Sequence, residues 1–316
     1  VKRKAGRTPS STLLALACTR ALLFGSALAL PCIASAAPAV EPGPKDEPTV
    51  SAPTQGVPLR LRGGSGLVLF PGDNLYPRYL ADPRQPMMKG LVLHVLESET
   101  PEHGNPLMEF TMGGRVKLLR WHPAHDPELG VELSVHMAFL GRFDPDNKYD
   151  LIGWDGYFGS MIAFRPIESL GLKVAHQHDS AHVGDEYMQR TGRRRITYTR
   201  EEIAIGAMYD GDFPLRPYVE AGYAVHLGAA DGLRLWRTQA GLEIDLGLPY
   251  AAVDATFWQE LRWRPTVTAQ VGVKFDQRDS GRRYGLALQF ENGRSVLGEF
   301  YEDQNRTIGG GFWFDL

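Results

Sequence analysis

The sequence predicts an all-β protein: an antiparallel transmembrane β-barrel of about twelve strands, behind an export leader and a linker. Three observations predict it. From residue 89 to the end, apolar residues alternate with small, polar or charged ones, and no segment of comparable length carries a helical period. Most alternating segments reach the ~9–11 residues that a tilted membrane strand requires. The connections between them alternate between brief turns and longer loops, the asymmetry of bacterial outer-membrane barrels.

Residues 1–36 read as a signal peptide. Lys2, Arg3, Lys4 and Arg7 form a basic start, "ALLFGSALAL" an apolar core, and Ala34-Ser35-Ala36 a small-residue cleavage site. The apolar core is half the ~20 residues of a spanning helix. Cys18 and Cys32 both lie in this leader, so the mature chain is expected to have no disulfide, thiol nucleophile or cysteine-ligated metal. Of 34 basic residues, Lys2, Arg3, Lys4, Arg7 and Arg20 also fall there; the remaining 29 face 37 acidic residues. A moderately acidic exported chain is not built to hold nucleic acid.

Residues 37–63 are rich in Pro, Ala and acidic residues and read as a flexible linker. Residues 64–88 contain turn formers and aromatics without a clear period. Leu69, Phe70, Leu75, Tyr76 and Tyr79 need cover from water, which predicts that this segment folds against the periplasmic mouth or into the lumen.

The barrel, 89–316, is expected to have strands near 89–97, 107–121, 130–140, 156–165, 169–180, 195–209, 216–227, 233–246, 249–258, 265–276, 282–291 and 304–316. In "RRYGLALQFE", Tyr284, Leu286, Leu288 and Phe290 form one apolar face. Loops near 98–106, 141–154, 181–194 and 292–303 read as the long ones. Arg200, Glu202, Glu220, Glu243, Asp245, Asp254, Lys274, Arg283 and Glu291 face the lumen, either as an ion-pair network filling it or as the lining of a channel. Trp121, Trp236, Trp258 and Trp313 read as girdle residues, and Arg193-Arg194-Arg195 as a contact for lipopolysaccharide phosphates or a solvated run. Ile308, Phe312, Phe314 and Leu316 share one face of the last strand, resembling the closing strand read by the barrel-insertion machinery.

The stretches "FPGDNLYPRYLADPRQP", "HDSAHVGDEY", "YTREEIAIGAMY" and "GEFYEDQNRTIGGGFWFDL" resemble the bacterial family called domain of unknown function 1207, from about Leu69 to Leu316. The resemblance implies an outer-membrane barrel. It implies no activity, ligand or cofactor.

The candidate chemistry lies in "HQHDSAHVGDE", residues 176–186. His176, His178 and Ser180 continue the face of Leu170, Leu172 and Val174, a costly location for polar groups unless hydrogen bonds or function require them. A His-x-Ser pair on an outer wall resembles the outer-membrane phospholipase A and lipid A deacylase families, in which the imidazole activates the hydroxyl and a third side chain orients the imidazole. The Asn that commonly follows the serine is Ala181 here. On the next strand Ile203, Ile205, Ala207 and Tyr209 mark the apolar face and put Glu201 on it; pairing Leu170 with Tyr209 sets His178 opposite Glu201.

Three readings follow. One is an acyl-ester hydrolase with Ser180 as nucleophile, His178 as base (His176 the alternative base) and Glu201 as orienter. Another is a metal site from His176, His178, His182 and Asp185. The last is a hydrogen-bonded rim without chemistry, in a non-enzymatic channel or structural barrel. No phosphate-binding Gly-rich loop or haem motif implies a cofactor. The expected partners are outer-membrane lipids and the insertion machinery, with no nucleic acid; the oligomeric state is left open.

Overall fold

A computed structural model describes residues 56–60, 65–101, 103–228, 230–277 and 282–315. The leader, most of the linker, the turn at 278–281 and Leu316 lie outside these residues.

Twelve antiparallel strands close into a barrel: β3 (Met88–Ser98), β4 (Leu107–His122), β5 (Gly130–Asp144), β6 (Asp150–Ile167), β7 (Leu170–Val183), β8 (Thr199–Tyr209), β9 (Leu215–Leu227), β10 (Trp236–Asp245), β11 (Pro249–Trp258), β12 (Pro265–Gln277), β13 (Arg282–Arg294) and β14 (Gln304–Asp315). Each pairs with its sequence neighbour, and β14 pairs with β3 to complete the ring, so no barrel edge is left unpaired. Two short strands precede it. β1 (Val57–Arg60) pairs with β2 (Gly66–Leu69), and β2 with the end of β4. Part of the segment read as linker is therefore strand, as is the start of the segment read as irregular.

Burial follows the period-two pattern with its sign inverted relative to a soluble protein. Val174, Ile205, Val271, Leu286 and Leu288 are exposed on the outer wall, whereas Glu109, Glu132, Asp155, Arg200, Glu243 and Glu291 are buried inside. An apolar exterior around a polar interior is stable only in a lipid environment, which makes these strands the membrane-crossing elements. Among the described residues no helix is long and apolar enough to cross a membrane.

The interior is an ion-pair network. Arg142 meets Glu109 at 2.9 Å and Arg120 meets Glu132 at 2.5 Å. Lys173 and Arg237 converge on Glu220 at 2.5 Å each, and Arg237 also reaches Glu202 at 2.6 Å. Residues 70–87 enter this space. Tyr79 stacks on Tyr218 with ring centroids 3.7 Å apart, Leu80 N donates to Glu243 Oε1 at 2.6 Å, and Arg78 pairs with Asp315. Arg84 reaches Asp155 at 2.6 Å and Asp179 at 3.3 Å. Small inward residues admit the segment: a Cβ on Gly171 would lie 3.1 Å from the Tyr76 ring.

Several expectations are corrected. β5 and β6 run further than 130–140 and 156–165, leaving only residues 145–149 where a loop over 141–154 was expected. Arg142, Asp144 and Asp155 continue the inward row, with Phe143 and Trp154 on the opposite face. Charges hid the alternation there. The connection 184–198 contains a helix, α1 (Asp185–Thr191). Trp121 and Trp236 are exposed on the outer wall, but Trp313 is buried and donates to Tyr250 Oη at 2.9 Å, and Trp258 lies under Arg200 inside the lumen. These two are not girdle residues. Arg193 is engaged with Asp303 at 2.9 Å and lies over the Phe300 ring, so it pins neighbouring loops together.

Candidate functional site

The mouth at which β3 begins and β14 ends carries short connections at 168–169, 210–214 and 246–248, and one of seven residues at 123–129. The opposite mouth carries 99–106, 184–198, 228–235 and 295–303, with shorter connections at 145–149 and 259–264. The candidate site lies on the outer wall near this second mouth, where β7 approaches the 184–198 connection.

The β7–β8 register is the one that the apolar faces predict: Leu170 pairs with Tyr209, His178 with Glu201 and Ser180 with Thr199. Outward alternation puts His176, His178, Ser180 and His182 on one face, while Gln177, Asp179 and Ala181 point inward. His178 Nδ1 is 2.5 Å from Glu201 Oε1, and His176 Nε2 is 2.9 Å from Glu201 Oε2. One carboxylate thus engages two imidazoles. The three side chains are partly exposed, at 41% for His176, 23% for His178 and 27% for Glu201, so the group is open to an approaching molecule.

Across from β7, Phe158 pairs with His178 and stacks on its ring at 4.7 Å, which restricts the imidazole. Trp154 holds His182 in the same way at 4.3 Å and packs on Phe139 at 5.2 Å. The residue opposite Ser180 on β6 is Gly156, and the Trp154 ring lies 3.0 Å from where a Cβ would stand there. Chemically this is a hydroxyl, two carboxylate-bound imidazoles and an aromatic wall, on the face that meets lipid.

The structure brings His176, His178 and Glu201 into contact. It does not join Ser180 to His178: the hydroxyl lies 3.4 Å from His182 Nε2. Asp185 opens α1. No group of three or more His, Cys, Asp or Glu among the described residues is arranged to hold a metal ion, so the four residues read as a metal set do not form one. His226 is exposed and pairs with Glu201 from the other side. A β-bulge between Glu201 and Glu202 shifts the β9 register there.

Fold and surface together define a twelve-strand antiparallel barrel of the outer-membrane type. The family model described as "Protein of unknown function (DUF1207)" matches residues 53–315, and the chain belongs to that family. Solved structures of similar fold are outer membrane phospholipases A. The Escherichia coli protein in an active-site mutant form is 11% identical, with a TM-score of 0.53 over 77% of this chain and 93% of that one. A second Escherichia coli structure is 9% identical at a TM-score of 0.51, covering 73% and 92%. The Salmonella typhi protein, a dimer with bound calcium, is 11% identical at 0.53, covering 76% and 95%. At such identity the likeness is one of fold. No curated protein sequence matches the chain.

Proposed function

We propose that this protein resides in the bacterial outer membrane and hydrolyses acyl esters of membrane lipids at Ser180. The observation that carries the reading is the 2.5 Å contact between His178 Nδ1 and Glu201 Oε1. With the Nδ1 proton donated to the carboxylate, the imidazole is held in the tautomer whose Nε2 is a base. Ser180 is two residues along on the same face, and hydrolysis requires a χ1 rotamer that turns the hydroxyl from His182 toward that nitrogen. Catalytic hydrogen bonds are often loose without substrate.

In the reaction, Ser180 Oγ attacks the ester carbonyl carbon while His178 Nε2 takes the hydroxyl proton. The C–O bond to the lipid alcohol breaks, and the imidazolium returns the proton to the leaving oxygen. Water, deprotonated by the same nitrogen, then attacks the acyl carbon; the bond to Ser180 Oγ breaks, the imidazolium returns its proton to Oγ, and the fatty acid leaves. Glu201 stabilises the transient imidazolium. His182 Nε2, 3.4 Å from Ser180 Oγ, orients the hydroxyl, with Trp154 stacked on its ring. Substrate arrives sideways from the bilayer over the apolar wall of Leu172 and Val174. That solved barrels of similar fold include phospholipases supports the class of reaction and no residue assignment.

A second reading treats the cluster as rim structure. Its support is the contact of Ser180 with His182 in place of His178, together with the bridging of two imidazoles by Glu201. Mass spectrometry of phospholipids and lipid A separates the two. Cells expressing wild type and Ser180→Ala at equal inserted levels differ in lysolipid and free fatty acid under the hydrolase reading, and identical profiles overturn it.

A further inference from the structure

Buried acids of the lumen generally sit against a cation; buried Asp254 and half-buried Asp82 do not, and both lie on one cavity. Asp155 and Asp179 face Arg84, Glu202 and Glu220 face Arg237, and Glu109 faces Arg142. Asp254 is 1% exposed, and its carboxylate is held only by neutral donors: Tyr218 Oη at 2.7 Å, Gln239 Nε2 at 2.8 Å and Thr256 Oγ1 at 3.2 Å. Asp82 accepts only from Arg84 N and Gln85 Nε2. Neither has an ion-pair partner among the described residues. Both line a cavity of about 40 Å³ beneath the long-loop mouth, with Glu260 as a third acid; Arg84, a cation on the same wall, is engaged with Asp155 and Asp179.

Glu260 supplies an independent observation. Its side chain is 3% exposed and Oε1 lies 3.3 Å from Arg200, but Oε2 is buried with no hydrogen-bond partner among the described residues. An unpaired buried carboxylate oxygen is costly, and a cavity lined by three acids concentrates that cost. A cation entering the cavity relieves it. The remaining walls include Tyr198 and Tyr301, whose rings favour an organic ammonium group over a hydrated metal ion, and Trp258, whose ring already carries Arg200 and Arg237. A cavity needs only ~10–15 Å³ to hold a water, so this one has room for a small cationic head.

We infer that this cavity is a binding site for a primary ammonium group on a short apolar chain, entering from the long-loop mouth and held by Glu260, Asp254 and Asp82. The site is on the inside of the wall and does not depend on the chemistry at Ser180.

The test is calorimetric titration of the detergent-folded full chain with n-butylammonium chloride. One saturable site is expected, weakened about tenfold or more in Glu260→Gln and in Asp254→Asn, the loss that a charge-assisted hydrogen bond implies. Glu260 lies outside the strands, so Glu260→Gln reports even where Asp254→Asn prevents folding, which heat-dependent gel mobility reveals. Absence of saturable heat in folded wild type overturns the inference, as does unchanged affinity in folded Glu260→Gln. Equal displacement by sodium or calcium chloride also overturns it, in favour of an inorganic cation site.

Discussion

His178 and Glu201 face each other across the β7–β8 ladder, with Nδ1 of the imidazole 2.5 Å from Oε1 of the carboxylate. Under the hydrolase reading, Glu201→Gln keeps the shape and loses the charge that stabilises an imidazolium. The expected effect is a ~10²–10⁴-fold fall in kcat with KM little changed. Steady-state fatty acid release from phospholipid in mixed micelles measures it; an unchanged kcat removes Glu201 from the mechanism.

The two histidines flanking Ser180 have separable roles. His178→Ala is expected to lower kcat by ~10²–10⁴-fold, and His182→Ala by less than about tenfold, because orienting a hydroxyl matters less than accepting its proton. The same assay compares them, and the reverse order would make His182 the base.

Residues 70–87 occupy the lumen, held by the Tyr79–Tyr218 stack and by Arg84 on Asp155 and Asp179. Wild type is therefore expected to carry no steady current in planar bilayers, and deletion of residues 71–86 to open one. Single-channel recording checks this. A conducting wild type would mean that the segment leaves a continuous path.

Much of this was legible in the sequence because a barrel writes its faces at period two. Leu170-Leu172-Val174 and Ile203-Ile205-Ala207-Tyr209 mark apolar rows that end together at the short-turn mouth, and that alone aligns His178 with Glu201. The bulge at Glu201 and Glu202 leaves both Val225 and His226 exposed, and period two carries no sign of such an inserted residue. Trp258 and Trp313 were read by position near strand ends, although parity with Asp254 and Asp315 puts both inside. Read from the sequence, Ser180 pairs with His178, or with His176 as the alternative, and His182, which is also two residues away, is missed; only side-chain rotamers choose between His178 and His182.

Outer-wall residues should tolerate charge poorly at mid-height. Val271, midway along β12 and exposed, is such a position. Val271→Arg is expected to destabilise the inserted barrel by ~2–4 kcal/mol, as lipid-facing arginine does near the bilayer midplane. Denaturant titration in lipid vesicles reads the shift, and a cost near zero would mean that this wall does not face lipid.

The most direct test of the hydrolase reading is labelling by a fluorophosphonate, which phosphonylates a serine only when a neighbouring base activates its hydroxyl. Folded wild type in detergent is expected to acquire one adduct, on the tryptic peptide spanning residues 174–190 and located at Ser180 by fragmentation. The adduct should be lost in His178→Ala and in heat-unfolded protein. Folded barrel that remains unlabelled at Ser180, while a serine hydrolase in the same mixture reacts fully, would contradict the assignment.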